Sequence, residues 1–258
     1  MNILDEIISH KRKEVAERKT TTPVKNLENR ELFTRKTLSL REFLLDASRT
    51  GIITEFKRRS PSKGVINDKA DVAAVTADYT QYGAAGLSIL TDEHFFGGSM
   101  EDLIAARGNK VPLLRKDFVI DEYQIIEARA IGADAILLIA ACLDPSAVKR
   151  LASFAKSLQL EVLLELHGQD ELDHICEETV LVGINNRNLK TFSVDINHSL
   201  EMAAKIPGNK VKVAESGISS AANIRLFKEH GFNGFLIGEN FMKEDNPGLA
   251  FKKFVDEL

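Results

Sequence analysis

The sequence predicts an α/β chain of 258 residues in which eight strand–helix units close into one (β/α)8 barrel. Three observations carry that expectation. Eight short apolar runs recur, at 51–57, 87–92, 111–117, 135–139, 161–165, 181–187, 211–217 and 235–238. Buried parallel strands covered by helices on both faces read in this way, without polar alternation. The helix-to-strand joints also repeat, as Tyr82-Gly83-Ala84, Ile131-Gly132-Ala133 and His230-Gly231-Phe232. Glycine just past a helix takes the left-handed conformation without a steric penalty. Finally, most runs end on an ionisable or polar residue. Such groups are expensive at a barrel mouth unless something uses them, and that mouth is where barrel active sites lie.

The elements follow in order. Residues 2–19 predict an amphipathic helix, with Ile3, Ile7, Ile8 and Val15 on one broad face. The stretches beginning at Thr20 and at Leu27 read as loop. A short helix is expected from Ser39 to Asp46, where Ser39 and Glu42 have capping-box spacing. This extension, 1–47, is either decoration or a cap over the site. From Gly51 onward, helices are expected at 72–82, 100–107, 123–131, 145–158, 169–176, 196–205, 221–230 and 250–258. Strand ends fall about 26 residues apart, a normal βα period. Eight such units predict one TIM barrel domain over 1–258, rather than a doubly wound sheet with its GxGxxG turn.

Composition excludes several functions. Net charge is 34 − 38 = −4 with a pI near 5.9, which gives no electrostatic reason to bind nucleic acid or an anionic membrane. The longest apolar stretch, Ala135 to Leu143, is too short to span a bilayer. Cys142 and Cys176 form no CxxC pair, and the six histidines form no HxxxH, so free thiols and no metal site are expected. The N-terminus lacks the apolar core of a signal peptide, which predicts a cytoplasmic protein.

Strand alternation then assigns faces. Ile53, Glu55 and Lys57 share one face, as do Leu114 with Lys116, Leu163 with Glu165, and Val213 with Glu215. If these faces line the barrel, Glu55, Lys57, Lys116, Glu165 and Glu215 converge at its mouth. They form either a ring of structural ion pairs or a site in which crowded charges shift one another's pKa values for acid–base work. Glu215-Ser216-Gly217-Ile218-Ser219 and Gly238 supply small residues in the loops after the last two strands, the usual phosphate cradle of such barrels. The basic loop from Lys57 through Arg58, Arg59 and Lys63 to Gly64 predicts an anion-gathering lid. Phe96 and Phe118 are expected to wall an aromatic ring, with Phe95 either joining them or plugging the loop layer.

Six segments together resemble the indole-3-glycerol-phosphate synthase family. They are Glu55-Phe-Lys-Arg-Arg-Ser-Pro-Ser-Lys-Gly64, Leu90-Thr-Asp-Glu-His-Phe-Phe-Gly-Gly-Ser99, Leu114-Arg-Lys-Asp-Phe118, Gly183-Ile-Asn-Asn-Arg-Asn-Leu189, Ala214-Glu-Ser-Gly-Ile218 and Leu236-Ile-Gly238. The first and third are diagnostic together. The family makes the indole ring of tryptophan, converting 1-(2-carboxyphenylamino)-1-deoxyribulose 5-phosphate to indole-3-glycerol phosphate, CO2 and water, with no cofactor or metal.

The resemblance implies Glu55, Lys57, Lys116, Glu165, Asn185, Arg187, Glu215 and Ser216 as the catalytic and orienting set. It implies Ser60, Gly217, Gly238 and Glu239 at the substrate phosphate. Pro61, Phe96, Phe118, Leu137, Leu189 and Ile237 are expected to form the apolar wall. The chain departs from common family usage at Gly97, Asn188 and Glu239, and the last is expected to serve phosphate only through its backbone N–H. The expected partner is a small sugar-phosphate/anthranilate substrate, bound by a monomer or weak homodimer. A phosphoribosylanthranilate isomerase, or a phosphate-metabolite sensor on a retired barrel, are the competing readings. Neither needs two lysines at strand ends.

Overall fold

The computed structural model describes residues 3–188 and 192–258. Eight parallel strands close into a barrel: β1 (Ile52–Phe56), β2 (Gly86–Leu90), β3 (Leu113–Lys116), β4 (Ala135–Ile139), β5 (Glu161–Leu166), β6 (Leu181–Asn185), β7 (Val211–Glu215) and β8 (Phe232–Ile237). Each strand pairs with its sequence neighbour, and β1 pairs with β8 to close the ring. Gly83, Gly132 and Gly231 take φ of +96°, +92° and +79°, as the repeated joints require.

The predicted alternation is observed. Ile53, Leu114, Leu137, Leu163, Val213 and Leu236 form the barrel interior. Their strand neighbours Ile52, Phe56, Leu113, Leu138, Leu164 and Ala214 pack outward under the helices in a separate cluster. Because both faces are buried, neither needs polar alternation.

The N-terminal extension serves both ends of the barrel. Helix α1 (Ile3–Thr21) lies against the mouth. Helix α2 (Val24–Glu28) and a 3-10 turn (Glu31–Thr34) then descend along α6 (Glu122–Ala130). Helix α3 (Leu40–Leu45) plugs the bottom, where Leu40 and Leu44 join the interior cluster. Burying each leucine contributes about 1.5–3 kcal/mol. The Ser39 hydroxyl caps α3 by accepting the Glu42 N–H at 3.1 Å. It also donates to Glu161 at the foot of β5.

Several expectations are corrected. Thr20 and Thr21 continue α1, and of the loop expected at Leu27 the first two residues, Leu27 and Glu28, are helical. Leu27 is buried with Val15, Tyr123 and Ala130, so tertiary packing holds a five-residue helix too short to show a period. The helix expected at 169–176 is a 3-10 turn, Gln169–His174. The last helix begins early, at Pro247, because Asn246 caps it and proline suits the first turn. The remaining elements named below are α4 (Val72–Gln81), α5 (Met100–Ala106), α7 (Pro145–Ser157) and α8 (Ile196–Ala203). Among the described residues, no helix is long and apolar enough to cross a membrane.

Candidate active site

The strand ends deliver their side chains into one cavity of about 510 Å³. Register brings the ends level: Leu90 pairs with Lys116, Ile139 with Glu165, and Asn185 with Glu215. All the sequence-predicted site residues among the described residues line this cavity. Leu189 lies outside the described residues.

Two acid–base pairs face the cavity. At the end of β1, Lys57 Nζ lies 2.6 Å from Glu55 Oε1. At the end of β3, Lys116 Nζ lies 3.0 Å from Glu165 Oε2 and 3.4 Å from Glu215 Oε2. Asn185 Nδ2 donates to Glu165 Oε1 at 3.1 Å, and Asn185 Oδ1 accepts the Arg187 backbone N–H at 3.0 Å. His167 Nε2 lies 3.1 Å from the same Glu165 oxygen.

The electrostatics follow from one ammonium between two buried carboxylates. Burial alone would discharge Lys116, but Glu165, Glu215 and Glu55 outweigh it and raise its pKa. Glu165 is also buried, yet Lys116, His167 and Asn185 hold its pKa well below the usual range. Glu215 bears the cost. Burial and the charge of Glu165 push its pKa up to about 8 despite Lys116, so it holds a proton at neutral pH. Gly183 makes room for this arrangement, since a Cβ there would sit 2.1 Å from Glu215 Oε1.

Ser216 and Gly217 take φ of +66° and +75°, which turns the chain at the end of β7 sharply into the cavity rim. A Cβ on Gly217 would meet Val194 at 2.4 Å, so the position admits no side chain. Ser60, Ser219, Gly238 and the Glu239–Asn240 backbone border the same region. Phe96 and Phe118, with ring centroids 5.9 Å apart, line the wall with Pro61, Leu137 and Ile237. Phe95 instead packs on His10 and His94, so it plugs the loop layer.

The anion-gathering lid is only partly realised. Arg58 forms a bidentate pair with Asp102 of α5, and Arg59 donates to the carbonyls of Glu93 and His94. These arginines anchor the loop; Lys57 and Lys63 face the cavity. Glu239 also differs from expectation. Its carboxylate bridges Lys63 at 3.4 Å and Arg187 at 3.3 Å, so its side chain takes part in the rim.

The sequence matches the family model described as indole-3-glycerol phosphate synthase over residues 4–254. The chain belongs to the indole-3-glycerol phosphate synthase family. An indole-3-glycerol phosphate synthase of Bacteroides thetaiotaomicron is 46% identical over 100% of this chain and 99% of its own length. One from a Polaromonas species is 43% identical over 96% of each chain. Among solved structures, tryptophan synthase from Pyrococcus furiosus superposes with a TM-score of 0.60 at 16% identity, over 81% of this chain and 98% of that one. That likeness shows the barrel fold alone.

Within this family member, sequence reasoning left the role of one group open and missed two others. Ile3, Leu4 and Ile7 of α1 line the cavity, so the extension is a cap and not decoration. Lys11 is fully buried between Asp92 Oδ2 at 2.9 Å and Asp117 Oδ1 at 3.0 Å. A signal for it existed: Lys11 continues the i, i+4 stripe of Ile3, Ile7 and Val15, where a charge is unexpected. His167 carried no such signal, because it follows β5 by one residue and looks like loop.

Proposed function

We propose that this cavity closes the indole ring of 1-(2-carboxyphenylamino)-1-deoxyribulose 5-phosphate and releases CO2 and water, with the predicted residues in the following roles. The observation that carries the reading is Lys116, at the cavity floor and kept as an ammonium by Glu165 at 3.0 Å. An acid held charged in a poorly solvated site is suited to protonate a ketone oxygen as carbon attacks the carbonyl carbon.

Substrate fits by chemistry at three points. The phosphate takes the small-residue rim of Ser60, Gly217, Gly238 and Glu239 N–H, with Lys63 nearby. The anthranilate ring packs on Phe96, Phe118 and Pro61 beneath the apolar face of α1. Its carboxylate lies toward Lys57 and Arg187, whose guanidinium fork matches a carboxylate.

Lys116 donates to the ketone oxygen as the ring carbon attacks, leaving a hydroxyl and an iminium. The bond to CO2 then breaks, and its electron pair neutralises the iminium. Dehydration needs an acid for the departing hydroxyl and a base for the methylene proton. Lys57 and Glu55, 2.6 Å apart, supply both, and Glu55 returns its proton to Lys57. Asn185 holds Glu165 in place, and Glu215 in its protonated form offers a donor to a substrate hydroxyl.

The test is to incubate the protein with the deoxyribulose phosphate and follow indole fluorescence, with the Lys116→Met variant alongside. The wild type is expected to turn over, and the variant to lose well over tenfold in kcat. Turnover of Lys116→Met within about threefold of wild type, under ~1 kcal/mol in the barrier, would refute the general-acid role.

A further inference from the structure

The geometry points to His167 as the proton inlet of this site, a positioning residue that reloads Lys116 through Glu165 once per turnover. The inference rests on the ring-closing reading above and deepens it.

The need for an inlet follows from proton balance. The substrate carboxylate enters ionised and leaves as neutral CO2, so one proton is consumed in each turnover. Lys116 gives one proton to the ketone oxygen, and Lys57 gives one to the departing hydroxyl. Glu55 recovers one from carbon and returns it to Lys57. The Lys57–Glu55 pair therefore finishes as it began, while Lys116 finishes as a neutral amine. The missing proton must come from outside, to a lysine that the substrate and α1 cover.

Among the described residues, a titratable chain leads there from the surface. Lys116 Nζ is 3.0 Å from Glu165 Oε2, and Glu165 Oε1 is 3.1 Å from His167 Nε2. His167 Nδ1 lies 4.0 Å from Glu171 Oε2, a carboxylate that reaches the surface. Glu171 is fixed over the ring because its Oε2 also accepts the His167 backbone N–H at 2.5 Å. The imidazolium passes its Nε2 proton to Glu165 Oε1, and the carboxyl group rotates to bring that proton to the Lys116 amine, which takes it and leaves Glu165 a carboxylate again. The imidazole is left with its proton on Nδ1 and its lone pair on Nε2, so the ring turns over to present Nε2 to the Glu171 side, takes a proton there and turns back as the imidazolium. Each transfer moves one proton from donor to acceptor, and one proton from solvent closes the cycle, so no other reactant is required.

Among the described residues, the charged and titratable groups around the ring suit this role. Glu165 on β5, Glu171 on the 3-10 turn and Lys116 on β3 set its field; burial and Lys116 disfavour the imidazolium, but the two carboxylates outweigh them and raise its pKa. From α8, His198 Nε2 contacts the His167 carbonyl at 2.8 Å rather than the ring. Cys142, after β4, stays a thiol because burial and then Glu165 and Glu171 raise its pKa.

The test is steady-state kinetics of His167→Gln and His167→Ala, with circular dichroism to confirm folding and exogenous imidazole as the probe. Both variants are expected to lose about tenfold in kcat with KM within about twofold. Imidazole is expected to restore kcat of the alanine variant in proportion to imidazolium, which a packing role would not do. If His167→Gln keeps kcat within about twofold of wild type, or imidazole leaves the alanine variant unchanged, the inlet is overturned. A wild type that forms no indole product overturns the ring-closing reading itself, a result distinct from either variant outcome.

Discussion

Replacing Lys11 with methionine tests how the N-terminal helix is held over the site. Lys11 Nζ contacts Asp92 at 2.9 Å, and Asp117 and Glu14 at 3.0 Å each, with both aspartates fully enclosed. Asp117 keeps Arg115 at 3.0 Å and the Thr91 hydroxyl at 2.7 Å when Lys11 goes. Asp92 keeps the Phe95 and Phe96 N–H groups on Oδ1, but its Oδ2 loses its cation. Breaking a buried pair from one side costs about 3–5 kcal/mol, because the other charge stays behind. At roughly 2–4 °C per kcal/mol for a chain of this size, the melting temperature falls by about 6–20 °C if α1 stays docked.

The cheaper escape is for α1 to lift and expose the carboxylate. Amide exchange over α1 then accelerates by about a hundredfold or more, the equivalent of ~3 kcal/mol. KM for substrate rises too, because Ile3, Leu4 and Ile7 leave the cavity wall. Acid does the same to the wild type. Burial is outweighed by Lys11 and Arg115, which hold the Asp117 pKa below its ordinary 3.8. Its contribution is therefore complete above that value and is lost as pH falls through the lowered one. Exchange-detected mass spectrometry of Lys11→Met, with Asp92→Asn and the double variant, measures the coupling. An unchanged melting temperature together with unchanged protection of α1 would show that these ion pairs do not hold the cap.

Two further outcomes follow from the carboxylates. Glu215 holds its proton until about pH 8, so kcat/KM falls as pH rises through that value and a second carboxylate closes on Lys116; Glu215→Gln removes this limb. The same group makes folding less favourable between about pH 4.5, where the unfolded chain ionises, and 8, a slope that denaturant titrations of Glu215→Gln should lack. Gly183→Ala places a Cβ 2.1 Å from Glu215 Oε1 and drives that side chain off Lys116. We expect at least tenfold lower kcat with the barrel intact by circular dichroism, and activity within about twofold would mean that Glu215 tolerates the shift.

The barrel was legible because its signals repeat. Eight buried strands with a glycine after several helices leave few alternatives, and alternation alone placed Glu55, Lys116, Glu165 and Glu215 inward. What one-dimensional pattern could not show is which charges neutralise each other. Arg58 and Arg59 sit in the same basic run as Lys57 and Lys63, yet Asp102 and two carbonyls capture them. Those partners lie 34 to 44 residues away in sequence, and no spacing rule reaches that far. The anchoring of the cap through Lys11 was illegible for the same reason, since α1 meets its aspartates only after β2 and β3 are built.

The charges in the mouth explain why the cap and the catalytic floor belong together. Before substrate arrives, Lys57 balances Glu55, Lys116 balances Glu165, Glu215 is protonated, and Glu239 spans Arg187 and Lys63. The substrate brings two anionic groups into this nearly neutral site. In the reading proposed above, its phosphate and carboxylate compete with Glu239 for Lys63 and Arg187, so that substrate binding trades one set of ion pairs for another. Water must be kept out while that exchange occurs, because screening would weaken every pair. The apolar face of α1 does this, and Lys11 ties α1 to Asp117, the residue next to Lys116. A loosened helix and a displaced Lys116 are thus two readings of one displacement at the end of β3.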